Sequence, residues 1–80
     1  MKINKKIAVS ESGFVFDSST GDSFSVNPIG IEIIEMIRDN KNEDEIKREL
    51  LDKYDVSVPV LEKSLSEFIG SLRNAKILED

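Results

Sequence analysis

TGDSFSVNPIG, residues 20–30, joins a turn, a strand and a helix start with no loop between the last two. Thr20-Gly21-Asp22 carries turn residues, and Phe24 and Val26 then alternate with Ser23, Ser25 and Asn27 in the period-two pattern of a half-buried strand. Asn27 is a good N-cap. Pro28 suits the first helical position, where a missing N–H costs nothing. A strand that runs straight into a helix has its position fixed relative to the helices, so this junction sets the reading of the chain on either side.

Upstream lie two more short alternating runs. Ile7 and Val9 alternate with Ala8 and Ser10, and Glu11-Ser12-Gly13 turns the chain. Phe14 and Phe16 bracket Val15, and Ser18-Ser19-Thr20-Gly21 turns it again. The three runs predict an antiparallel meander with one buried face holding Ile7, Val9, Phe14, Phe16, Phe24 and Val26. Downstream the period becomes helical. Ile29, Ile33, Ile34 and Ile37 predict a first helix over about 28–39. Asn42 and Glu45 form a capping-box pattern, and Ile46, Leu50, Leu51 and Tyr54 continue a second stripe. Ser57 is expected to cap a third helix with Pro59 in its first turn. Leu61, Leu65, Phe68, Ile69 and Leu72 share a face about 100° wide. Ala75 to Leu78 should tether the C-terminus. The expected architecture is α+β and winged-helix-like: a three-stranded antiparallel sheet followed by a three-helix bundle, in one domain over 1–80.

The composition narrows the chemistry. A chain of 80 residues folds near the lower limit for a single core, burying roughly 60% of its unfolded surface. There is no cysteine, so disulfides, thiolate zinc sites and iron–sulfur clusters are excluded, and no histidine to serve as general base. Lys63-Ser64 are sequence neighbours without the spacing of a Ser-Lys dyad. Asp17 and Asp22 flank a turn that superficially resembles a calcium loop. Its glycine falls one place early and Pro28 stands where the closing glutamate belongs. Glu43, Asp44 and Glu45 open a helix, where carboxylates complement the macrodipole. No catalytic residues, metal or cofactor are therefore expected. A net charge of −5 opposes a nucleic-acid partner. No apolar run follows the basic Met1–Lys6 segment and none is long enough to span a membrane, which points to a cytoplasmic binding module.

The third strand, Asp22 to Asn27, is an edge if Gly13 to Asp17 is the middle strand. It carries Ser23 and Ser25 outward and no lysine, whereas Lys5 and Lys6 head the opposite edge. An undefended edge invites β-augmentation by a peptide, although Ser23 and Ser25 also fit a plainly solvated strand face. Ser64, Ser71 and Ala75 line one flank of the third helix beside Phe68 and offer a second wall. The open edge also predicts a monomer that dimerises as concentration rises.

"GFVFDSSTGDSFSVNPIGIEIIEMI" (13–37), "EDEIKRELLDKYDV" (43–56) and "VLEKSLSEFIGSLRNAKIL" (60–78) together resemble the PqqD family. The most specific part is an aspartate, then Thr20-Gly21, then a strand ending in Val26-Asn27. Valine stands where the family usually has leucine and keeps the apolar role. The resemblance implies a RiPP recognition element, which binds the leader of a ribosomal precursor peptide and presents it to a modifying enzyme, often a radical S-adenosylmethionine protein. It also implies that the leader adds as a strand to the third strand beside the third helix. The implied site is Ser23, Phe24, Ser25, Val26 and Asn27 with Ser64, Leu65, Phe68, Ser71 and Leu72. Two alternatives remain: an interaction module with another peptide client, and a winged-helix DNA-binding or regulatory domain. The latter is disfavoured because Lys63 and Arg73 are offset by Glu62 and Glu67.

Overall fold

Asn27 is the hinge of the computed structural model, which describes all 80 residues. Its backbone is still extended (ψ 165°), and its Oδ1 already accepts a 2.7 Å hydrogen bond from the Gly30 N–H. Strand β4 (Ser23–Ser25) therefore gives way to helix α1 (Pro28–Arg38) across only Val26 and Asn27. Ahead of β4 run β1 (Lys2–Ile3), β2 (Ile7–Val9) and β3 (Phe14–Asp17). After α1 come α2 (Glu43–Lys53), α3 (Val58–Asn74) and β5 (Leu78–Glu79). The main sheet is the antiparallel meander β2-β3-β4, followed by three helices in an α+β arrangement. The tethered C-terminus is itself a strand. β5 pairs with β1, Lys2 against Glu79 and Ile3 against Leu78, and so clasps the two ends of the chain together.

The helix boundaries follow from the caps. Asn42 and Glu45 make the reciprocal capping box, with Asn42 Oδ1 accepting from Glu45 N at 2.8 Å and Glu45 Oε1 from Asn42 N at 3.1 Å. Ser57 occupies the N-cap position of α3 with extended backbone but makes no side-chain cap bond. Pro59 lies two residues on and has no N–H, so one of the two amides a cap serine ordinarily serves is missing. Ile33, Ile34 and Ile37 of α1, Ile46 and Leu50 of α2, and Leu65, Ile69 and Leu72 of α3 converge in one core with Ile7, Val15, Ile77 and Leu78.

The sheet corrects one expectation. Phe14 and Phe16 were expected to face the core, yet they are 53% and 43% exposed while Val15 is fully buried. The triplet Phe-Val-Phe is apolar on both faces, so its own pattern does not decide which face turns inward. The pairing does. Gly13 turns the chain at φ +96°, Ser10 N bonds Phe14 O, and Val9 comes to lie opposite Val15. Directly paired residues share a face, so the inward Val9 brings Val15 with it and sends both phenylalanines outward. Val15 in turn faces Phe24, which packs against the core as expected, as do Ile7, Val9 and Val26.

Polar contacts tie the outer parts together. Asp17 Oδ1 accepts from Ser19 N at 2.8 Å and Ser19 Oγ at 2.6 Å, which closes the turn and lowers the carboxyl's pKa. Between α1 and α2, Glu32 pairs with Lys53 and accepts from the Tyr54 hydroxyl at 2.8 Å. These bonds hold the Glu32 carboxyl below its ordinary value of 4.5.

Two measurements test this account. In urea titrations Val15→Ala should cost about 1.5–3 kcal/mol, whereas Phe14→Ser should cost less than about 0.5. Equal losses would mean that the strand faces are reversed. A carboxyl whose pKa is lower in the folded state stabilises above its unfolded value, and that contribution is lost as pH falls through the folded value. Glu32→Gln should therefore flatten the fall in urea midpoint between about pH 5 and 3. An unchanged acid limb would show that the Glu32 bonds do not bear on stability.

Candidate functional site

The hydrogen-bond parity of β4 fixes which of its backbone groups are free. Val26 N donates to Gly13 O and Asp17 N to Asp22 O, both at 2.8 Å. With Val15 opposite Phe24, residues 22, 24 and 26 direct their backbone groups toward β3. Ser23 and Ser25 therefore point both N–H and C=O away from the sheet. The far edge differs: Ile7 N donates to Asn4 O at 3.0 Å, and Ile7 O accepts from Arg38 Nη2 at 2.6 Å. Lys5 and Lys6, expected to defend this edge, stand exposed in the preceding turn, while Asn4 and the Arg38 side chain of α1 occupy the outward groups of Ile7.

Along the open edge runs a groove of about 310 Å³, bounded by β4 and α3. Phe24, Ser25, Val26 and Asn27 form one wall, and Phe68, Ser71, Leu72 and Ala75 the other, with Ile77 at its end. Of the ten residues singled out in the sequence, seven meet here. Ser64 and Leu65 line an adjoining apolar cavity of about 360 Å³ between the helices, which shares Phe68 and Asn27 with the groove. Ser23 lies outside both, exposed on the edge itself. The Ser71 hydroxyl is already engaged, donating to Phe68 O at 2.7 Å.

Sequence reasoning missed Ile77 and Gly30. Ile77 reaches the groove because Lys76 adopts φ +59° and Ile77 N closes on Leu72 O, which folds the chain back under the end of α3. The available signal was an apolar residue just beyond a helix end. Gly30 is buried in the first turn of α1. A Cβ there would overlap Val26 Cγ1 and lie 3.0 Å from Phe68 Cζ and 3.3 Å from Asn27 Oδ1. The bare backbone is what lets Val26 and Phe68 meet beneath the groove. A glycine inside a helical pattern was the signal.

The charges on α3 make no basic stripe. Glu62 lies 3.9 Å from Lys47 of α2, and Arg73 pairs with Asp80 at 3.1 Å, so the DNA-binding alternative is not favoured. No three His, Cys, Asp or Glu side chains converge where a metal ion could be held, and no helix is long and apolar enough to cross a membrane.

An unpaired strand edge beside an apolar groove is an arrangement to which an extended peptide can add as a further strand. The chain belongs to the PqqD family, since the model for coenzyme PQQ synthesis protein D matches residues 13–78. TbiB1, solved in complex with the TbiA(beta) leader peptide, is 27% identical and superposes with a TM-score of 0.89 over 99% of this chain and 95% of its own. A lasso peptide synthetase B1, solved with its leader peptide, shares the fold at 17% identity and a TM-score of 0.87, over 99% of this chain and 96% of its own. No curated protein matches significantly.

Gly30→Ala tests the seat. Alanine should gain about 1 kcal/mol of helix propensity, yet the clash with Val26 and Phe68 should lower the melting temperature and shift the Phe68 ring resonances. A more stable variant with unmoved Phe68 signals would show that the contact has room to spare.

Proposed function

We propose that this protein binds the leader segment of a ribosomally made precursor peptide as an antiparallel or parallel fourth strand on β4, and presents it to a separate modifying enzyme such as a radical S-adenosylmethionine protein. The observation that carries the reading is the pair Ser23 and Ser25, whose four backbone groups face away from β3 alongside the β4–α3 groove. Family membership and the likeness to TbiB1, a leader-bound relative, support the same reading. The protein supplies no chemistry of its own in this scheme. Its role is to raise the local concentration and fix the direction of the peptide.

The energetics require both walls. Four hydrogen bonds at about 0.5–1.5 kcal/mol net give roughly 2–6 kcal/mol, while association costs about 4–15 kcal/mol. Apolar leader side chains entering beside Phe24, Val26, Phe68 and Leu72 must provide the surplus. Ser23 and Asn27 bound the paired stretch, Ser71 flanks the groove, and Ser64 and Leu65 line the cavity beyond Phe68.

Titration with the leader of a precursor peptide, sought among the genes neighbouring this protein's own, tests the reading. Ser25→Pro removes an N–H that points away from β3, so binding should fall at least tenfold while the melting temperature barely moves. Ser23→Lys and Ser71→Glu should each weaken binding by about 1–2 kcal/mol. Should all three bind as tightly as the parent, the β4–α3 groove is not the site. A second copy would use the same edge, so sedimentation should show monomers at low concentration and leader-sensitive dimers at high concentration. A nanomolar dimer indifferent to leader would put the dimer contact elsewhere.

A further inference from the structure

Two of the four phenylalanines stand on the outer face of the sheet, where the fold makes no use of them. Phe14 lies opposite Ser25 and Phe16 opposite Ser23, both in non-hydrogen-bonded pairs, the arrangement that brings side chains closest. On the other flank Phe16 faces Ala8. The outer face is thus a ridge of two aromatic rings bordered by small residues on both sides. A strand added to β4 would lie roughly 10 Å from β3, with only the two serines between it and the rings.

We propose that Phe14 and Phe16 form a second specificity surface, reading the leader side chains that point away from the groove. The inference rests on the strand-addition reading. In an added strand, alternate residues face the groove and the others face outward over Ser23 and Ser25. A long apolar or aromatic side chain at an outward position lies flat across a serine and meets a ring edge or face, a contact that a bulkier β4 residue would obstruct. The partner chemistry is therefore an extended peptide with large apolar residues on both of its faces, not one amphipathic strand. The groove selects one alternating set and the phenylalanine ridge selects the other. This accounts for an aromatic pair left in water beside an open edge, a combination that otherwise only promotes aggregation.

The test is selection from a displayed random dodecapeptide library on the parent protein, keeping binders that Ser25→Pro abolishes. Two interleaved apolar preferences at alternating positions are expected. Repeating the selection on Phe14→Thr/Phe16→Thr should erase one set and retain the other. For a synthesised winner, serine at the outward apolar position should weaken binding to the parent about tenfold, but to the double variant less than about twofold, the signature of a direct contact. Both phenylalanines are exposed, so the variants should fold, and the single replacements provide the same cycle if the double one does not. If the double variant selects the same peptides with the same affinities, the ridge takes no part. If no binder is sensitive to Ser25→Pro, strand addition itself fails and this inference fails with it.

Discussion

The contact among Val26, Gly30 and Phe68 is the constraint on which the rest of the structure depends. Val26 closes β4, Gly30 stands in the first turn of α1, and Phe68 lies midway along α3. At Gly30 there is no space for a single methyl group. Asn27 locks the same point with its cap bond to the Gly30 N–H. Three elements are thereby registered against one another, two of them through residues only four apart in the chain. The groove beside β4 inherits its width from this contact, because its two walls are held by close-packed side chains and not by a loop. Close-packed interiors deform little, so a groove built this way is largely formed before any peptide arrives.

From the fixed point outward, the two edges of the sheet have different fates. At the β2 edge Arg38 of α1 reaches across to satisfy Ile7 O, and Asn4 O accepts from Ile7 N. The β4 edge pairs with no further strand, because the chain leaves it for α1 at once, and α3 faces it across the groove. An open edge is normally a liability. Here its exposed length is short, three residues in β4, so the unpaired groups are few. A short edge also limits how much affinity backbone pairing can give, which is why side-chain contacts must carry most of the discrimination in the proposed complex.

Much of this was legible in the sequence, and the parts that were not share a cause. The junction at Asn27-Pro28, the capping box at Asn42 and Glu45, and the three helical stripes are local signals written in adjacent residues. The β1–β5 clasp has no such signal: it joins Lys2-Ile3 to Leu78-Glu79 across the whole chain, and two residues are too few to show a period. Phe14 and Phe16 were assigned to the wrong face because Phe-Val-Phe offers apolar residues at both parities, so only the register set at Gly13 decides. Among the site residues, those on β4 and the groove flank of α3 followed from period and topology. Ser64 and Leu65 lie one turn before Phe68 in α3, where the helix lines the inter-helix cavity and has not yet reached the groove. Gly30 was visible as a letter but its meaning was tertiary.

The charge balance bears on how such an edge discriminates between a peptide and a second copy of the protein. Both partners offer unpaired backbone, and both would pair with Ser23 and Ser25 by the same hydrogen bonds. Two copies, however, each bring a net charge of −5, and Asp22 sits at the head of β4 on each. In an antiparallel edge-to-edge pair the two Asp22 residues stand at opposite ends of the short ladder, roughly 13 Å apart. What opposes pairing is the net charge of the two copies, and that repulsion is already partly screened at ordinary salt, where the Debye length is about 8–10 Å. A peptide of neutral or positive character meets no such barrier. Exposed backbone thus attracts extended chains in general, and the acidic surface biases that attraction away from the protein itself. The bias must weaken as salt rises, because screening removes the repulsion between copies while leaving the short-range hydrogen bonds of the edge intact.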